Sequence, residues 1–163
     1  MRTETIAIYE YSELSEESQA RARDWYRNMS DFQEIFDDVR DTLTSAKKKL
    51  GFRVIDYQWG LDGIRKLSVF VPNKFDTLAD FIEPALLTGD CPFTGCYLDE
   101  DFLDPFRKAP MTEVDIHGVV YAAVQSLFYA GICALESAWS DESVAESLIV
   151  NEYEFTAEGR HYL

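Results

Sequence analysis

Residues 112–135 read TEVDIHGVVYAAVQSLFYAGICAL and contain the longest apolar stretch of the chain. Apolar side chains recur there every three or four residues and cover more than one face of the predicted helix. Gln125, Ser126 and Gly131 interrupt the stretch, which makes it a poor membrane span, because a span needs about 20 consecutive apolar residues. The pattern therefore predicts a long helix over residues 113–137 that is buried at the centre of the fold.

A second regular helical pattern lies earlier in the chain. Asp31 and Glu34 are spaced as a capping box, and apolar residues then follow at intervals of three and four as far as Leu50. The three lysines at 47–49 favour the C-terminal end of a helix dipole, and Gly51 is typical of a helix stop. This pattern predicts an amphipathic helix that ends at Leu50.

Shorter patterns predict the remaining elements. Strands are predicted over residues 5–11, 52–59, 66–71 and 152–156. Helices are predicted over residues 16–28, 78–87 and 141–150. Their expected caps are Ser15, Asp76, and either Asp141 or Ser143, and Pro84 is expected to kink or end the second of them. Residues 88–111 have no regular pattern and predict an irregular loop rich in acidic and aromatic residues.

Together these elements predict an α+β fold in a single domain over residues 1–163. We expect one small antiparallel sheet, built from the N-terminal strand, the hairpin of residues 52–71 and the C-terminal strand, packed against four or five helices. The Asp62-Gly63 pair predicts the turn of that hairpin. No basic segment followed by an apolar one opens the sequence, so a cytoplasmic location is expected.

Charge is distributed unevenly along the chain. Residues 76–163 hold 17 of the 30 acidic residues and three of the 15 basic ones, so they carry −14 of the formal net charge of −15. A field of this sign repels nucleic acid and attracts basic protein surfaces. The same acidity also serves proteins that need only to stay in solution. Charge therefore restricts the class of partner without naming one.

Motifs for metal binding and catalysis are weak. Cys91 and Cys96 are separated by four residues, and Cys133 and His117 could add ligands, but no matching second pair completes a zinc pattern. The acidic run of residues 99–104 lacks the alternating spacing of a calcium loop. The sequence contains no nucleotide-binding or nucleophile motif. We therefore expect no metal, no cofactor and no enzymatic activity.

Both ends of the sequence carry recognisable motifs. Residues 8–27 read IYEYSELSEESQARARDWYR, and residues 151–160 read NEYEFTAEGR. These stretches resemble the start and the end of small acidic accessory proteins encoded by bacteriophages and prophages. The similarity covers the two ends only, because residues 57–63 depart from the pattern of that group. It implies a phage-related context and no catalytic residues.

Accessory phage proteins frequently bind and block a host defence machine, and some acidic ones occupy a nucleic-acid groove, as DNA-mimic anti-restriction and anti-CRISPR proteins do. The resemblance thus implies an inhibitor of bacterial defence in the host cytoplasm. It would bind a basic surface of its target through an acidic face and would not bind nucleic acid itself. The candidate partner-binding residues are Asp99, Glu100, Asp101, Asp104, Glu113, Asp115, Asp141, Glu142 and Glu146.

The alternative is a regulatory or antitoxin-like module that binds its partner through the aromatic loop 93–106. Replacing Phe93, Phe102 and Phe106 with alanine would then abolish binding, whereas charge changes would be tolerated. If the acidic face carries binding instead, we expect charge reversal at Asp99, Glu100, Asp101 and Asp104 to abolish it.

Overall fold

The computed structural model describes residues 5–162 and has the α+β fold that the sequence predicts. In chain order the α-helices are α1 (Glu16–Met29), α2 (Gln33–Leu50), α3 (Leu78–Phe81), α4 (Pro84–Thr88), α5 (Leu98–Lys108), α6 (Ile116–Trp139) and α7 (Asp141–Val150). The strands are β1 (Tyr9–Glu10), β2 (Arg53–Gly60), β3 (Gly63–Phe70) and β4 (Glu154–Phe155).

The described residues divide into two compact units. Unit 1 contains those up to Phe32 together with those from Glu136 onward, and unit 2 contains Gln33–Leu135. Each unit has its own cluster of buried apolar side chains. The single-domain organisation stays a prediction.

Unit 1 joins the start of the chain to its end. Strand β1 pairs antiparallel with β4, so that Tyr9 lies opposite Phe155. Ser15 caps α1 and Ser140 caps α7, each through a side-chain oxygen that accepts from a backbone N–H three residues later. The buried apolar side chains of this unit are Tyr11, Leu14, Ala22, Val144, Leu148 and Phe155.

The two stretches that carry the sequence resemblance fold together in unit 1. The hydroxyl of Ser18 donates to the backbone carbonyl of Ala157 at 2.7 Å. Gly159 has a φ of +76°, and a Cβ at this position would lie 2.2 Å from the carbonyl oxygen of Ser18. The ring of Trp25 stacks on that of His161, with centroids 4.1 Å apart. The two ends of the sequence therefore build one structural unit.

Unit 2 is organised around α6, the buried helix that the sequence predicts. Its buried side chains within this unit include Ile116, Val120, Ala123, Val124, Leu127, Phe128 and Ile132. Among the described residues, α6 is the one helix long and apolar enough to span a membrane, and 44% of its most apolar 18-residue window is buried inside the protein. Length and composition are weak evidence for a span, because the core helix of a globular protein meets the same criteria.

The predicted hairpin is confirmed as β2 and β3. The turn residues are Leu61 and Asp62, because Gly60 pairs with Gly63. Gly63 has a φ of +100°, a conformation that glycine adopts without strain. The hairpin packs Val54, Trp59, Leu67 and Val69 against the core of unit 2.

The strands form two separate two-stranded sheets instead of the single sheet expected from the sequence. On one side β4 pairs with β1, and on the other its Phe155 forms a bridge to His161, so both sides of β4 are occupied within unit 1. The terminal strands are also shorter than predicted, since residues 5–8 are outside any strand and residue 11 begins a 3-10 helix.

Two predicted segments differ from the observed helices. The helix expected over residues 78–87 is split into α3 and α4, and Pro84 begins α4, where its missing N–H costs no hydrogen bond. Thr77 and Asp80 form the capping box of α3, in place of the expected cap Asp76. The loop expected over residues 88–111 contains α5, an 11-residue helix. Glycine and proline in the flanks of α5, together with Pro105 inside the helix, obscured its helical spacing of apolar residues.

Candidate partner-binding site

The nine acids predicted to bind a partner do not fall in one unit. Asp99, Glu100, Asp101, Asp104, Glu113 and Asp115 lie in unit 2. Asp141, Glu142 and Glu146 lie in unit 1. Each group therefore has to be judged by its own surroundings.

Asp99 is fully buried and cannot contact a partner, so its assignment to the binding face is wrong. One carboxylate oxygen accepts from the backbone N–H groups of Phe93, Thr94 and Gly95, at 2.7, 2.8 and 3.2 Å. The other oxygen accepts from the hydroxyls of Thr94 and Thr42, at 2.8 and 3.2 Å. The side chain holds the loop before α5 in place. A buried carboxylate is tolerated only with such a complete set of donors.

Glu100 and Asp104 are exposed enough to be reached, but cations of their own helix already pair with them. Arg107 donates two hydrogen bonds to Glu100, and Lys108 contacts Asp104 at 2.6 Å. The hydrogen bond from Arg107, together with one from the backbone N–H of Cys91, lowers the pKa of Glu100. Both acids are therefore partly neutralised within α5.

Glu113 and Asp115 satisfy the backbone before and within the first turn of α6. The carboxylate of Glu113 accepts from the N–H groups of Val114 and Asp115, both at 2.9 Å. The carboxylate of Asp115 accepts from the N–H of Gly118 at 2.9 Å. Capping explains the presence of these two acids without a partner.

In unit 1, Asp141 is paired and its two companions are not. Arg27 and Arg23 both contact the carboxylate of Asp141. The hydrogen bond from Arg27, reinforced by the charge of Arg23, lowers the pKa of Asp141. Glu142 and Glu146 are exposed on the same helix and form no ion pair among the described residues.

One open groove in unit 2 combines an available acid with exposed aromatic side chains. It encloses about 500 Å³ between the start of α5 and the middle of α6, and its lining residues are Tyr97, Asp101, Ser126, Tyr129, Ala130, Cys133 and Ala134. The two tyrosines are more than half exposed, at 57% and 53%. We call Tyr97, Asp101 and Tyr129 the tyrosine–aspartate face.

Asp101 differs from its neighbours on α5 because no cation in the described part of the chain pairs with it. Partial burial, and then the negative charges of Asp104 and Glu100, raise the pKa of Asp101. Burial and the neighbouring negative charges thus both disfavour the ionised carboxylate. A cation supplied by a partner would stabilise it.

A second groove of about 460 Å³ continues the acidic character next to Tyr97. Asp38 and Asp41 of α2 line it, together with Phe93, Thr94 and Cys96. Partial burial raises the pKa of the Tyr97 hydroxyl, and the charges of Cys96, Asp38 and Asp101 add to the effect. Sequence reasoning missed Asp38 and Tyr129, since nothing in their local spacing distinguishes them from other surface residues.

The aromatic alternative also needs correction. Phe102 and Phe106 are completely buried in the core of unit 2, and their ring centroids lie 5.5 Å apart. Phe93 is half-buried and packs edge-on against Phe102. Substituting Phe102 or Phe106 would damage the core, so the aromatic side chains of residues 93–106 that a partner can reach are the exposed Tyr97 and the half-buried Phe93.

Residues with metal-binding or nucleophilic chemistry are scattered. Within residues 5–162 no group of three or more histidine, cysteine or acidic side chains is placed to hold a metal ion. Cys91 and Cys96 are half-buried and Cys133 is exposed, all as free thiols. Burial, followed by the charge of Glu100, raises the pKa of Cys91, which makes its thiolate scarce. His117 forms a hydrogen bond with the backbone carbonyl of Val69 at 3.1 Å.

Comparison with protein-family models, with curated proteins and with solved structures finds no match to this chain. The resemblance to phage accessory proteins therefore stays a prediction, carried by the motifs at the two ends of the sequence.

Proposed function

We propose that this protein is a non-enzymatic inhibitor of a bacterial defence system, encoded by a phage or prophage and active in the host cytoplasm. It binds a basic surface of its target through the tyrosine–aspartate face of unit 2. The observation that carries this proposal is Asp101, a partly buried carboxylate without an ion pair in the described residues, which lines one groove with two exposed tyrosines.

The chemistry of this face matches a partner rich in arginine or lysine. Tyrosine is enriched at the energetic centres of protein interfaces, and arginine is its frequent counterpart on the other side. A guanidinium can stack on a tyrosine ring while it donates hydrogen bonds to a carboxylate. Asp38 extends the negative potential towards the adjacent groove, whereas Asp41, which also lines that groove, is paired with Arg40.

The face is smaller than the acidic row expected from the sequence. Duplex DNA carries one charge per about 1.7 Å of its axis, so a mimic of its full length needs many free carboxylates in order. Asp99 is buried, and Glu100 and Asp104 are paired within α5. We therefore propose that the protein occupies one basic site that its target uses for nucleic acid, without imitating a long duplex.

The experiment begins with capture of the target from the bacterial host at low and at moderate salt, followed by its identification by mass spectrometry. Binding of the purified target is then measured for Asp101→Lys and for the double variant Tyr97→Ala/Tyr129→Ala. The matched control is Glu136→Lys, which makes the same charge change at an exposed acid near the end of α6 in unit 1. Anisotropy of a labelled DNA duplex reports whether the protein displaces nucleic acid from the target.

We expect Asp101→Lys to weaken binding by about 30-fold or more, the loss typical of an interface hot spot, and Glu136→Lys to have little effect. Binding should weaken as salt rises, and the wild-type protein should displace the DNA. Salt-insensitive binding that tolerates Asp101→Lys but is lost in the tyrosine variant would reject the charge-based proposal. That result would favour the regulatory or antitoxin-like module, for which the exposed tyrosines are the supporting observation.

A further inference from the structure

Unit 1 contains a second groove whose chemistry is opposite to that of the tyrosine–aspartate face. It encloses about 530 Å³, and its lining residues are Arg21, Trp25, Met29, Gly159, Arg160 and His161. Met29 is one of the most exposed apolar side chains of the described chain, at 69%. We call this feature the Trp25 groove.

The floor of the Trp25 groove is rigidly built. The rings of Trp25 and His161 are stacked with an interplanar angle of 11°, and the edge of Trp25 packs against Tyr153 and Phe155. The left-handed Gly159 lies against the backbone of Ser18, which fixes the chain just before Arg160. The groove is thus formed in advance, and a ligand would bind without ordering it.

Two arginines, Arg21 and Arg160, line the Trp25 groove in a strongly acidic protein. Three basic residues occur after position 75, and two of them, Arg107 and Lys108, pair with acids of their own helix. Arg160 forms no ion pair within residues 5–162. Arg21 contacts Glu17 and donates a hydrogen bond to the backbone carbonyl of Glu158 at 3.2 Å. The pair with Glu17 lies on an exposed helix surface and contributes little stability, so a ligand carboxylate can replace Glu17 there.

We propose that the Trp25 groove binds an acidic protein segment that carries one large apolar side chain. That side chain would rest on Met29 and Trp25, while its flanking carboxylates would meet Arg160 and Arg21. Tryptophan, methionine and arginine are the residue types that interface cores favour. The inference is independent of the tyrosine–aspartate face and gives the protein a second partner of opposite charge.

A peptide is favoured over nucleic acid as the occupant. The groove is mostly apolar, which suits a side chain better than a phosphate backbone. The net charge of −15 also repels a polyanion more strongly than a short peptide with few acids. A single-stranded oligonucleotide is therefore included as a competing probe.

The test uses NMR of the full chain with three synthetic pentapeptides. The first is Asp-Glu-Phe-Asp-Glu, the second replaces its phenylalanine with alanine, and the third replaces its acids with lysines. The readout is the indole N–H signal of Trp25, assigned with Trp25→Phe, together with the backbone signals of residues 159–161. The test variant is Arg160→Glu, and the matched control is Arg65→Glu, an exposed arginine of the hairpin.

We expect the first peptide to shift these signals, with affinity lowered about tenfold by Arg160→Glu and unchanged by Arg65→Glu. The alanine peptide should bind more weakly and the lysine peptide not at all. Equal binding to wild type and Arg160→Glu, or equal binding of the lysine peptide, would overturn the proposal. Binding of the oligonucleotide without binding of the peptide would also overturn the proposal. A shift of the same signals on dilution in the absence of peptide would overturn it too, because a second copy of the chain would then be the occupant.

Discussion

Replacement of Asp99 tests whether its buried carboxylate orders the loop before α5. In Asp99→Ala, three backbone N–H groups and two hydroxyls lose their acceptor. In Asp99→Asn, the amide oxygen can still accept from the three N–H groups, while the amide nitrogen can donate to the two threonine hydroxyls. The two variants therefore remove different parts of the same network.

The size of each effect follows from the burial of the donors. An unsatisfied buried donor costs about 1–3 kcal/mol, and hydrogen bonds to a charged group contribute about 1.5–3 kcal/mol. Thr94 and Gly95 are exposed, so water can replace part of what their N–H groups lose, whereas Thr42 is fully buried. We expect a loss of about 3 kcal/mol in the free energy of unfolding for Asp99→Ala and about 1.5 kcal/mol for Asp99→Asn.

Urea unfolding followed by circular dichroism measures both changes in the free energy of unfolding, provided that its slope against urea concentration is the same in the variants as in the wild type. The control is Asp101→Asn, two residues away. Because the pKa of Asp101 is raised in the folded protein, its ionised form opposes folding, and removing the charge at neutral pH should not destabilise. If Asp99→Ala costs less than about 1 kcal/mol, or no more than Asp99→Asn, the carboxylate is not the anchor of the loop.

Two further predictions concern unit 1. Gly159→Ala should lower the free energy of unfolding by about 3 kcal/mol, because a Cβ there meets the backbone of Ser18 at 2.2 Å in addition to the left-handed strain. Gly95→Ala has similar backbone strain, but the added Cβ would lie in open space, so thermal unfolding should show a loss of about 1 kcal/mol in the free energy of unfolding. Equal losses in the two variants would show that the contact with Ser18 does not contribute. Asp141→Asn should destabilise at neutral pH, since Arg27 lowers the pKa of Asp141 in the folded state. That difference from wild type should disappear as pH falls below the pKa of the folded carboxyl, and a difference that persists there would show another origin.

The sequence predicted the elements whose signals are local. The apolar spacing of α2 and α6, the cap at Ser15 and the hairpin of residues 52–71 all lie within short windows and are confirmed. The division of the strands into two sheets was not predictable in this way. It depends on the bridge between Phe155 and His161 and on the pairing of Tyr9 with Phe155, and the second of these joins residues far apart in the sequence.

The candidate site was predicted less well because charge alone does not report exposure. Counting acids gave equal weight to Asp99, which is buried, and to Asp101, which lies in an open groove. Tyr129 reaches the same groove from α6, and its spacing in the sequence gives no sign of that position. The face exists because residues of α5 and α6 line one groove, so it appears only at the level of tertiary structure.

Helical register separates the structural acid of α5 from the one that a partner can reach. Asp99 shares a helix face with Phe102, Leu103 and Phe106, because these residues follow it at intervals of three, four and seven. That face is buried, so Asp99 must find its donors inside the protein. Asp101 follows Tyr97 by four residues on the opposite side and remains open to solvent. Once residues 98–108 are treated as a helix, their spacing alone places the two acids on opposite sides. The exposure of each acid in this segment therefore depends on helical periodicity, which net charge does not report.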